Sequence, residues 1–137
     1  TLLHSQLHME DSAPDIPALG VPLVIDHLGW PDLSRGVADL GFQRLLALLE
    51  DGLVYLKLSA LYRLCPPPFE GAAPFMEAAI KANPERLLWG SDWPHLMLAG
   101  AAMPDAARLL EAFDDSCPDE ATRQRILVDN PTALFGF

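Results

Sequence analysis

Apolar runs that stop at short polar corners recur along this chain and set its expected elements. Val21–Ile25 is apolar and β-branched and ends at Asp26-His27-Leu28-Gly29, as a parallel strand covered on both faces should read. From about Val37 to Asp51 the residues Leu40, Leu45, Leu48 and Leu49 fall at helical spacing, and Gly52 supplies a stop. Leu53–Ser59 predicts the next strand, with Tyr55, Lys57 and Ser59 alternating against Val54, Leu56 and Leu58. A loop over Ala60–Pro68 follows, held extended and stiff by Pro66, Pro67 and Pro68. A helix over roughly Gly71–Ala82 leads to another buried strand, Arg86–Trp89, introduced by Asn83-Pro84 and ended by Gly90. Beyond it, Pro94 is expected to hold Trp93 extended.

The two ends are less regular. Leu2–His8 is a short, partly alternating run that predicts a strand with His4, Gln6 and His8 on one face. Met9–Gly20 has room for a turn or two of helix. Toward the other end, Pro104 suits the first turn of a helix through Phe113. Pro118-Asp119-Glu120 opens another that runs to about Val128. Asp129-Asn130-Pro131 is expected to end it and begin a final turn to Phe137.

This order, β, β-α, β-α, β-α-α, predicts one α/β domain over residues 1–137 with a parallel sheet. A closed (β/α)8 TIM-type barrel takes about 250 residues, so four parallel strands with flanking helices amount to half of one. A flavodoxin-like winding is the alternative. A half-barrel leaves open edges at Leu2–His8 and Arg86–Trp89, and strips the partner half from barrel-facing side chains such as Leu23, Ile25, Tyr55 and Leu88. The expected partner is a second copy of the chain or a missing N-terminal half-barrel. Without either, the expectation is instability.

Composition narrows the function. A net charge of −10 argues against nucleic acid, whose phosphates demand clustered Lys and Arg. No apolar run nears the roughly 18 residues of a membrane helix, and no signal peptide is visible. Cys65 and Cys117 stand far apart beside prolines, in neither a metal spacing nor a disulfide framework. Both read as free thiols of a cytoplasmic protein.

With parallel strands, Gln6 and His8, His27, Ser59 and Arg63, and Asp92 and His95 all fall at or just beyond strand carboxyl ends, where α/β folds place their chemistry. Each has a plainer reading. Asp92 suits a turn or helix cap, His27 a hydrogen-bonded structural histidine, and Arg63 a surface position in a proline-rich loop. His95 suits either a pocket mouth or a helix cap. Lys57 is expected to pair with a buried acid such as Asp26.

Four segments in order, Val24–Gly29, Tyr55–Ser59, Arg86–His95 and Asp129–Phe137, resemble the amidohydrolase-2 family, in its lactonase-like branch of pyrone-dicarboxylate lactonases. The resemblance covers nearly the whole chain but only the C-terminal half of the family's barrel. It implies a hydrolase that opens the ring of a small-acid lactone without a metal. Asp92 would be general base, His27 would polarise the carbonyl, and Arg63 would grip a substrate carboxylate, with His8, His95 and Ser59 also lining the substrate site. His27 and Asp92 must then lie within about 10 Å, so that one small molecule touches both. Two departures qualify the match. Trp30 stands where pyrone-dicarboxylate lactonases carry an arginine, which disfavours a dicarboxylate. The family's His-x-His is absent from this sequence. Two alternatives therefore remain: zinc-dependent hydrolysis or decarboxylation, with His8, His27 and Asp92 as partial Zn2+ ligands, or a half-barrel with no catalysis of its own.

Overall fold

The apolar runs assemble into a parallel sheet, and a helix leads the chain back between the second and third of them and again between the third and fourth. The computed structural model of the chain describes residues 2–3, 20, 22–96, 98 and 102–136. Four strands, β1 (Leu2–Leu3), β2 (Leu23–Ile25), β3 (Val54–Leu58) and β4 (Leu87–Trp89), pair in parallel in sequence order. β2, β3 and β4 are shorter by a residue or two than the apolar runs that encode them. His4, Gln6, His8 and the Met9–Leu19 segment lie outside the described residues.

Register decides which side chains share a face. Leu23 pairs with Val54, and Ile25 with Leu56, which in turn pairs with Leu87. These residues join Leu45, Leu49, Phe75, Met76, Phe113 and Ile126 in one buried core. Leu23 and Ile25 therefore face the helices, contrary to the barrel-facing placement expected for them. A run that is apolar at every position carries no parity of its own, and only pairing with the alternating β3 assigns its faces. The opposite face carries Val24, Tyr55, Lys57 and Leu88.

Among the described residues the α-helices are α1 (Leu40–Glu50), α2 (Leu61–Leu64), α3 (Ala73–Ala82), α4 (Ala106–Ser116), α5 (Glu120–Gln124) and α6 (Asn130–Phe135). Among the described residues no helix is long and apolar enough to cross a membrane. The Asp39 carboxylate caps α1, accepting from the Gly41 and Phe42 N–H groups, and Phe42 meets Phe75 of α3 edge to face at 4.8 Å.

Three local expectations change. Pro104 precedes α4 instead of entering it, because the Asp105 carboxylate accepts from Ala107 N–H and fixes the helix start at Ala106. The loop after β3 is not extended throughout: Leu61–Leu64 forms a helical turn, and Cys65, which precedes the prolines, is extended (φ −155°, ψ 159°). Asn130-Pro131 does not end the last helix. A π-helical turn over Arg125–Asp129, in which Asn130 N–H reaches back to Arg125 C=O, carries α5 into α6. Its wider spacing relieves the clash a proline ring otherwise makes with the preceding turn.

Candidate active site

Three corners, after β2, β3 and β4, share an unusual backbone. His27, Leu28, Trp30, Ala60, Asp92 and His95 all have φ between 55° and 65°, although none is glycine. Left-handed backbone costs an L-residue roughly 1–2 kcal/mol, and such strain gathers where a site needs side chains aimed out of register. At β2 the effect is direct. Asp26 is extended (φ −82°, ψ 156°) and meets Lys57 on the face opposite the helices. Extended His27 would point the other way, but its φ of 56° turns it back to the same side. Gly29 completes the corner, since a Cβ there would sit 2.6 Å from the Leu45 side chain.

The side chains converge. His27 Nδ1 lies 2.8 Å from Ser59 Oγ, and the same hydroxyl accepts from His27 N–H at 3.3 Å. The other ring nitrogen, Nε2, faces Asp92 Oδ1 at 3.8 Å. The Ser59 proton given to Nδ1 favours the tautomer with hydrogen on Nε2, toward the carboxylate. Burial pulls the His27 pKa below its usual 6.5, opposed by the charges of Asp92 and Asp26. On its far side, Asp92 Oδ2 accepts from the Tyr62 hydroxyl at 2.7 Å. The Tyr62 phenol is pushed up to about 12, first by burial and then by that bond.

Arg63 enters the same space from α2. Its guanidinium lies 5.5 Å from the centre of the Trp30 ring and 5.9 Å from that of Tyr62, and one arm donates to Leu96 C=O at 2.8 Å. A guanidinium steadied on two aromatic faces keeps further N–H groups for an anion. Trp30 also meets His27 edge to face at 5.6 Å. Lys57 Nζ sits 2.6 Å from Asp26 Oδ1, so it pairs with that acid as expected. His95 is buried, not at a helix cap. Its Nε2 donates to Ser91 C=O at 3.0 Å, its Nδ1 lies 3.2 Å from Met103 Sδ, and its ring stands edge to face on Tyr62 at 5.4 Å.

The structure thus brings together His27, Ser59, Asp92 and Arg63, with His95 packed one layer behind through Tyr62. His8 lies outside the described residues. Tyr62 is the residue that sequence reasoning missed, although its position directly before Arg63 in the loop after β3 marked it. Among the described residues no group of three His, Cys, Asp or Glu side chains could hold a metal ion. Of the two donors present, Asp92 already has one oxygen engaged by Tyr62.

The chain has relatives. A 4-sulfomuconolactone hydrolase of Rhizobium radiobacter is 41% identical over 118 residues, covering 84% of this chain and 40% of that protein. A 2-pyrone-4,6-dicarboxylate hydrolase of Comamonas testosteroni is 34% identical, with 86% and 42% covered. An apo crystal structure from Agrobacterium tumefaciens superposes with a TM-score of 0.84 at 32% identity, over 98% of this chain and 48% of that one. The chain spans less than half the length of these relatives. The amidohydrolase family model, Amidohydro_2, matches residues 1–137, and the chain belongs to that family.

Proposed function

We propose that this chain carries the hydrolytic centre of an enzyme that opens a lactone of a small organic acid, with Asp92 as general base and no metal. The carrying observation is the facing pair: His27 Nε2 and Asp92 Oδ1 stand 3.8 Å apart, each group anchored on its far side by Ser59 or Tyr62. Water between the carboxylate and a lactone carbonyl gives its proton to Asp92 as its oxygen bonds the carbonyl carbon. The His27 Nε2–H donates to the carbonyl oxygen as it becomes an oxyanion, and burial keeps the ring neutral for that purpose. Collapse of the tetrahedral intermediate breaks the ring C–O bond, and the proton passes from Asp92 to the departing oxygen. Arg63 pairs with an anionic substituent, while Trp30 offers a flat apolar wall in place of a second cation.

Both curated relatives described above bear names of lactone hydrolases, which supports the reading. Its test uses the intact protein that contains this chain, stripped with a chelator and offered 4-sulfomuconolactone and 2-pyrone-4,6-dicarboxylate. The metal-free protein should open a lactone ring, the dicarboxylate more slowly. No ring opening, or ring opening only after zinc is restored, overturns the proposal.

A further inference from the structure

We propose that Tyr62 is a positioning residue that reserves Asp92 Oδ1 for the base step by occupying Oδ2. The inference rests on the lactone reading above and adds a residue to it. A carboxylate that acts as base has two equivalent oxygens and a soft torsion that exchanges them. Here the two are not equivalent. Oδ2 accepts the Tyr62 hydroxyl at 2.7 Å, whereas Oδ1 faces His27 Nε2 at 3.8 Å, beyond a hydrogen bond. One oxygen is fixed and the other left for water.

The phenol is itself held on several sides. His95 stands against its ring at 5.4 Å with planes at 90°, and His95 is tied to the Ser91 carbonyl, one residue before Asp92. Arg63 flanks the same ring. Below, Ala60 at φ 56° launches α2 so that Leu61 enters the core while Tyr62 and Arg63 remain half-buried at the site. The chain Ser91, His95, Tyr62, Asp92 therefore closes on itself across the corner after β4. Within it, buried His95 braces the phenol. With its pKa pushed up to about 12, the phenol stays a donor at any working pH.

A plug of the same shape would do without the hydroxyl, so Tyr62→Phe in the intact protein separates the two roles. Loss of positioning should lower kcat about ten- to a hundredfold and leave KM within about twofold, because only the transition state needs the oriented oxygen. In an Asp92→Asn background the same substitution should cost nothing further. Wild-type kinetics for Tyr62→Phe, or an equal loss in both backgrounds, overturns the proposal. An arm that needs no substrate keeps it apart from the lactone reading. With ζ-13C-tyrosine, the Tyr62 resonance should move in Asp92→Asn relative to wild type. If no lactone is opened, the lactone reading fails while the resonance still decides the contact. An unmoved resonance sinks the positioning role.

Discussion

Burial governs His27 more than its acidic neighbours do. Its folded pKa lies below 6.5 because desolvation outweighs the attraction of Asp92 and Asp26. As pH falls past 6.5, the unfolded chain therefore takes up the proton first. Stability declines until the pH has passed the folded value, and below that the loss stays constant. Denaturant midpoints measured from about pH 7.5 down to about pH 5 should fall more steeply for wild type than for His27→Gln, which has no proton to gain there. Parallel curves for the two would show that His27 titrates as it does in water. The same burial suits the ring as a neutral Nε2–H donor, whereas the Ser59 hydroxyl fixes which nitrogen faces Asp92.

Among the elements, the terminal helices do more than cover the sheet. Buried Asn130, at the start of α6, uses its Nδ2 to donate to the Pro84 and Leu87 carbonyls, both at 2.8 Å. That bracket ties α6 to the entry of β4, whose far end carries Asp92. Asn130→Ala leaves two carbonyls without a donor and should cost about 2–3 kcal/mol in chemical denaturation. A loss under about 0.5 kcal/mol would mean that water replaces the bracket. The strand-end histidine and aspartate were legible in the sequence because apolar runs that stop at polar corners mark strand carboxyl ends. Other features were not. The faces of Leu23–Ile25 needed the register with β3, and the passage of the helix through Pro131 needed a π turn that no local pattern announces. The Tyr62–Asp92 bond joins residues 30 apart and depends on a left-handed alanine, a backbone state that alanine does not advertise.

At the scale of the molecule, the site lies across the carboxyl ends of three neighbouring strands, β2, β3 and β4, so their pairing sets its distances. The sheet belongs to an amidohydrolase chain of which relatives show more than twice the length. Its net charge of −10 would oppose the anionic lactone proposed as substrate at long range, but salt screens that field within about 8–10 Å. On the proposed function, recognition of the anion falls to close contacts, and Arg63, which lies against Trp30 and Tyr62, is the residue proposed to make them. Asp92 is the group proposed to activate water. The most direct measurement is the ring-opening rate of the intact protein and its Asp92→Asn variant on the same lactone, with folding checked by circular dichroism. The account predicts an unchanged fold and a turnover lower by about 10²–10⁴-fold; a well-folded Asp92→Asn variant that turns over at the wild-type rate would contradict it.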